Sequence, residues 1–165
     1  MINIVDFFEK QFEKWNEERK CGYCWKFEFS QRLSEVNESR QEDDDCCVMV
    51  FMVDYNIQKI RSYPASDTGQ FVENHLSYNH SFNLLFLMHD DIGTNVHNEI
   101  KGHPKEESKW SRIIHPLSQC LQDFDACEII KKPLRYNSET WRILIDYMDD
   151  YTGWQANYSL TEKIY

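Results

Sequence analysis

The sequence predicts an α+β domain spanning residues 1–165, in which a predominantly antiparallel sheet packs against an N-terminal helix and a second helix near residues 104–124. Three observations point there. In Tyr151–Leu160, Trp154, Ala156, Tyr158 and Leu160 share one face while Gln155, Asn157 and Ser159 share the other, the period of two expected of a strand with a dry and a wet side. The same alternation recurs at Tyr23/Trp25/Phe27/Phe29 and at Trp141/Ile143/Ile145. Ile4, Phe8, Phe12 and Trp15 instead recur at helical spacing among Glu and Lys residues.

Taken in order, the first element is an amphipathic helix from about Asn3 to Arg19, with Asn3 as its N-cap and Asp6 in its first turn. Gly22 suits the chain reversal that follows, and the Tyr23–Phe29 strand begins there. Residues Ser30 to Asp45 are polar and charged, an exposed loop. Cys46–Val53 is a continuous apolar run of strand length, rich enough in β-branched residues to be central, and Ile57–Tyr63 is expected to pair with it as a hairpin. Pro64–Gly69 is turn chemistry, and His80–Met88 a further buried strand. His89–Gly102 is too polar and glycine-punctuated for a core element and forms the main connecting loop. Trp110, Ile113, Ile114, Leu117, Leu121 and Phe124 mark the buried stripe of the second helix, begun near Pro104, Glu106 and Glu107 and kinked or broken at Pro116. Cys127–Lys132, Thr140–Tyr147 and Tyr151–Leu160 complete the sheet as three strands.

Composition bounds the function. With 41% hydrophobic and 15% aromatic residues, 165 residues bury a core without staples. Eighteen basic against twenty-eight acidic residues leave a formal charge of −10, which disfavours a general nucleic-acid binder because phosphate contacts need clustered Lys and Arg. No apolar run reaches the ~18 residues a bilayer span requires, and charge interrupts residues 1–10 where an export signal would be apolar. The six cysteines are therefore expected as reduced thiols, with Cys120 and Cys127 packing as small apolar groups.

Several constellations have residue types that could carry chemistry. Cys21-Gly-Tyr-Cys24 has redox or half-zinc spacing, but a redox pair needs a strand before it and a helix after, and the order here is reversed. Cys46 and Cys47, the available partners for zinc, point to opposite faces of one strand, so neither a catalytic disulfide nor zinc is expected. His89-Asp90-Asp91, His97-Asn-Glu99 and His103 could form a metal-dependent hydrolase site, although the helices or the ββα finger such sites require are not visible. No serine lies in Gly-x-Ser-x-Gly, and five glycines leave little scope for a phosphate-binding loop. No catalytic residue, metal or cofactor is assigned.

The order of elements, together with Cys21-x-x-Cys24-Trp25, the run from Asp91-Ile-Gly to Gly102-His-Pro104, Ser108-Lys-Trp110 and Tyr151-Thr-Gly-Trp154, resembles small proteins of virion-structural gene clusters in phages and prophages of Bacteroidetes hosts. The general architecture is also similar to tail-terminator and head–tail joining proteins of long-tailed phages. These resemblances imply a non-enzymatic virion protein, made in the bacterial cytoplasm, forming a homo-oligomeric ring at the neck or tail alongside other virion proteins. DNA would pass nearby without specific binding, since an acidic conduit repels phosphate, and no membrane is implied. Subunits are expected to meet through sheet edges and the two long loops, with Glu35, Glu38, Glu42, Asp43 and Asp44 in one and Asp91, Asn95, His97, Glu99 and Lys101 in the other. The alternative is an acidic DNA mimic or inhibitory adaptor, whose carboxylates should track spaced phosphates instead of collecting in loops.

Overall fold

The computed structural model describes residues 1–30, 47–62, 75–89, 109–130, 134–147 and 151–164. Helix α1 (Ile4–Glu18) begins where the Asn3 side chain accepts a hydrogen bond from the Asp6 backbone N–H at 3.1 Å, the cap expected from sequence. It ends at Arg19, whose left-handed backbone turns its N–H back onto the Asn16 and Trp15 carbonyls. A single 3₁₀ turn, Lys20–Gly22, leads into strand β1 (Cys24–Phe29).

Strands β2 (Cys47–Ser62), β3 (His75–His89), β4 (Leu134–Tyr147) and β5 (Tyr151–Ile164) join β1 in one sheet of order β1-β2-β3-β5-β4. The β1/β2 pair is parallel and the other three are antiparallel, so the sheet is predominantly antiparallel as expected. At Gly153 the backbones of β5 and β3 approach so closely that an added Cβ would overlap the Phe86 carbonyl.

Two expectations are corrected. The hairpin expected from Ile57–Tyr63 is not formed, because the chain runs straight on as β2 to Ser62, with a register shift between Val53 and Asn56, and Tyr63 lies outside the described residues. Only Asp54 takes a positive φ there (54°), enough for a bulge but not for the paired left-handed residues of the tightest hairpin turn, and Asp54 accepts from Asn83 Nδ2 at 3.1 Å. The strand expected over Cys127–Lys132 is not formed at residues 127–130, since Ala126–Ile130 forms a short helix, α3 below, started by the Asp125 carboxylate accepting from the Glu128 N–H, and Lys131 and Lys132 lie outside the described residues. The Tyr136 hydroxyl fixes that start by donating to Asp125 and accepting from the Ala126 N–H at 2.7 Å. The second helix is broken as Pro116 predicts: a π-helical turn, Trp110–Ile114, precedes α2 (His115–Leu121), whose first turn contains the proline. Its expected start at Pro104, Glu106 and Glu107 lies outside the described residues.

Alternation sorts the side chains onto two faces. Ile4, Phe8, Phe12 and Trp15 of α1 pack with Ile113, Leu117, Leu121 and Phe124 onto Val48, Val50 and Met52 of β2, Phe82, Leu84 and Phe86 of β3, and Ala156, Tyr158 and Leu160 of β5. Both helical stripes are thus buried against the sheet, except that Trp110, expected in the second, is 37% exposed at the start of the π-helical turn. The intervening positions Met49, Phe51, Val53, Leu85 and Leu87 make a second, smaller core with Leu144 and Tyr151 on the opposite face.

Candidate interaction surface

The ten residues expected from sequence at an interface (Glu35, Glu38, Glu42, Asp43, Asp44, Asp91, Asn95, His97, Glu99 and Lys101) lie outside the described residues, as do Cys46, Asp90 and His103. His89, the first residue of the histidine-rich stretch, ends β3 and packs edge-on against Tyr151, with ring centroids 5.7 Å apart. Among the described residues no group of three or more metal-ligating side chains is assembled.

The sheet edges are described. Among the described residues β1 pairs only with β2 and β4 only with β5, so each presents an unpaired backbone edge, at opposite ends of the sheet. The two edges differ. β1 is short and ends in Phe29, 38% exposed, whereas β4 is long, carries exposed Arg135, Glu139 and Arg142, and is interrupted by register shifts at Tyr136/Ser138 and Leu144/Tyr147. Charges and bulges of that kind discourage indiscriminate pairing while leaving an edge open to a matched partner.

A buried polar chain crosses the helix-covered side. Tyr55 of β2 lies 2.9 Å from His80 Nδ1, and His80 Nε2 lies 3.0 Å from Glu162 Oε2 on β5. The same carboxylate oxygen accepts the Ile2 N–H at 3.0 Å, and the Met1 amino nitrogen lies 3.8 Å from Oε1. His80 is fully buried and Glu162 nearly so. Burial, aided by the Glu162 charge, pushes the Tyr55 hydroxyl up to about 12. A phenol that gives its proton to Nδ1 while Nε2–H serves Glu162 provides every member of the chain with a partner. A nucleophile needs the opposite shift and an approach path, so this arrangement ties β2, β3 and β5 to the N-terminal segment. Sequence reasoning passed over it, although the signal was there: His80 and Glu162 sit in phase with Phe82 and Leu84 and with Tyr158 and Leu160, polar groups on the dry face.

The cysteines depart from expectation. Cys21 and Cys120 form a disulfide, 99 residues apart in sequence, which corrects both the reduced-thiol expectation and the apolar role given to Cys120. The cause is local. Left-handed backbone at Cys21 (φ 57°) directs the chain through the turn after α1, beside α2, while Cys24 has already entered β1. Cys24 is half-buried, and Cys47, the first residue of β2, is buried. Cys127 lies on a helix, not a strand.

No family model matches the chain, and no curated protein is significantly similar to it. Among the described residues no helix is long and apolar enough to cross a membrane.

Proposed function

We propose that this chain is a non-enzymatic structural protein of a tailed bacteriophage that assembles head to tail into a ring at the neck or tail, as a tail terminator or head–tail joining component. The observation that carries the reading is the pair of unlike edges, β1 and β4, at opposite ends of the five-stranded sheet. A contact between two different patches is heterologous, and heterologous contacts close into rings when the rotation permits, whereas a self-complementary patch stops at a dimer. The resemblance of the sequence to virion-cluster proteins supplies the biological setting, and the net charge of −10 suits a conduit that must not hold DNA. The loops of residues 30–45 and 89–102 would add contacts around the shared edges.

The test is sizing and negative-stain imaging of the full-length protein across a wide concentration range. Rings are expected, and Phe29→Asp, at an exposed edge position, should return folded monomers. Deleting residues 37–44 should also weaken assembly while sparing the fold, because their polar, charged sequence is that of an exposed connection, and shortening such a connection changes closure entropy only slightly. A protein that stays monomeric at high concentration and is absent from purified virions would remove the proposal.

A further inference from the structure

A groove of about 260 Å³ opens between α2, with the turn that follows it, and strands β4 and β5. Leu121, Phe124, Trp141 and Trp154 line it with carbon, and Ser118, Gln122 and Glu139 supply its polar positions. Phe124 and Trp141 stand at 84° to each other with centroids 6.3 Å apart, which makes an aromatic corner. Both indole N–H groups are already committed to the protein. Trp154 Nε1 donates to the Ile114 carbonyl at 3.0 Å, and Trp141 Nε1 donates to Glu139 Oε1 at 2.6 Å. The Ser118 hydroxyl likewise donates to the His115 carbonyl at 2.7 Å. What remains for a ligand is ring surface beside a carboxylate whose position the Trp141 bond holds.

Of the residues that line the groove only Glu139 is ionisable. It has no cationic partner among the described residues, whereas Asp123 of the adjoining turn already interacts with Lys20. Anions are repelled, and a purely apolar guest would strip water from Glu139 without replacing it. An organic cation answers both features, because its charge meets the carboxylate and its alkyl shell meets the electron-rich faces of the aromatic rings. The volume lies just under the ~300 Å³ lower end for small-molecule pockets, which favours a compact head group. We propose that this groove binds a small organic ammonium ion of the quaternary or N-methylated class, with Trp141 and Trp154 against its methyl groups and Glu139 against its charge. The inference stands apart from the ring reading.

Choline chloride is the probe, titrated at constant ionic strength into the full-length protein while the indole N–H signals of Trp141 and Trp154 are followed by NMR. The paired arm uses its neutral isostere, in which a quaternary carbon replaces the nitrogen. Choline should shift both signals saturably and bind about 5–30-fold more tightly than the isostere. Glu139→Gln should erase most of that advantage, weakening choline while the isostere, with no carboxylate left to desolvate, binds no less tightly than before. Gln122→Lys, at an exposed position on the groove, should weaken choline by repulsion and likewise spare the isostere. Both positions are exposed, so circular dichroism should report an unchanged fold. Equal binding of the two compounds, undiminished choline affinity in Glu139→Gln, or no saturable shift with choline would overturn the proposal.

Discussion

The two faces of the sheet are built from the same strands and held by different physics. On the helix-covered face, the Phe12 ring has six aromatic neighbours, Phe8, Trp15, Trp25, Phe27, Phe86 and Phe124, at centroid distances of 5.1–6.2 Å. On the opposite face, beyond the small apolar core, the side chains hydrogen-bond across strands. Asn137 Nδ2 donates to Thr161 Oγ1 at 2.7 Å, and Thr161 Oγ1 donates to Asn79 Oδ1 at 2.7 Å. Arg142 grips Gln155 Oε1 through two nitrogens at 3.0 and 2.8 Å, and Gln155 passes a bond to Asn157. Burial of large apolar area is cumulative and hard to replace, whereas a hydrogen bond from an exposed residue such as Asn137 exchanges readily with water. The difference teaches where this fold is vulnerable.

The helix-covered face is most vulnerable at Phe12. Phe12→Ala should cost about 3–5 kcal/mol, the range for deleting a buried aromatic side chain, read as a lower denaturation midpoint at an unchanged slope. Gly153→Ala comes next, because it strikes the seam that both faces share. A methyl group there overlaps backbone, which cannot rotate away as a side chain would, so a loss of about 3 kcal/mol, the upper end of ordinary overpacking, is expected in the same assay.

These two positions also show what the sequence made legible. Phe12 was readable because a helical stripe of four apolar residues has few other uses, and the N-cap at Asn3 was readable because capping is local chemistry. The alternation in β5 revealed which residues of the last strand face the helices, down to Trp154 and Tyr158. What was hidden depends on distant partners. The bulge at Asp54 looks like a hairpin turn until β3 is seen pairing on both sides of it. Ala126–Ile130 reads as a strand by its apolar content, and the cap and the Tyr136 hydroxyl that decide for helix come from Asp125 and from β4. The groove was invisible for the same reason, since Phe124, Trp141 and Trp154 come from three separate elements. The candidate interface loops were legible only as polar stretches, and the described residues do not include them.

The disulfide sharpens the comparison by joining the turn after α1 to α2, both on the helix-covered side. Replacing Cys21 and Cys120 by serine should lower stability by about 2 kcal/mol or somewhat more, because the bond restricts a long loop of the unfolded chain. Reducing agent should move the wild-type midpoint and leave that of the double variant in place.

A subtler probe is alkaline pH. The folded Tyr55 hydroxyl is pushed up to about 12 from an ordinary value of 10.0, so between these limits the unfolded chain releases its proton first. The contribution is fully present below pH 10 and is lost as pH rises towards 12. Tyr158 is also raised by burial and adds its own decline, so the informative quantity is the difference between wild type and Tyr55→Phe. That difference should be constant below about pH 9 and change sign-consistently above pH 10, with the phenylalanine variant losing less stability. Parallel curves through this range would show that the hydroxyl does not ionise differently in the two states.

The smallest effect belongs to the polar ladder. Asn137 is the extra residue at the β4 bulge, exposed, and its amide reaches both Ser159 at 3.3 Å and Thr161 at 2.7 Å. Asn137→Ala removes both bonds, yet water can reach the freed hydroxyls, and Thr161 keeps its bond to Asn79. Nothing buried is left unsatisfied, which is the condition under which losing a hydrogen bond becomes expensive. A loss of about 0.5–1 kcal/mol is therefore expected by denaturant titration, several times less than at Phe12. The comparison fails if Asn137→Ala approaches the Phe12→Ala value. Such a result would mean that the ladder holds the bulge and the β4 register, so that the wet face specifies strand alignment as strongly as the dry face supplies stability.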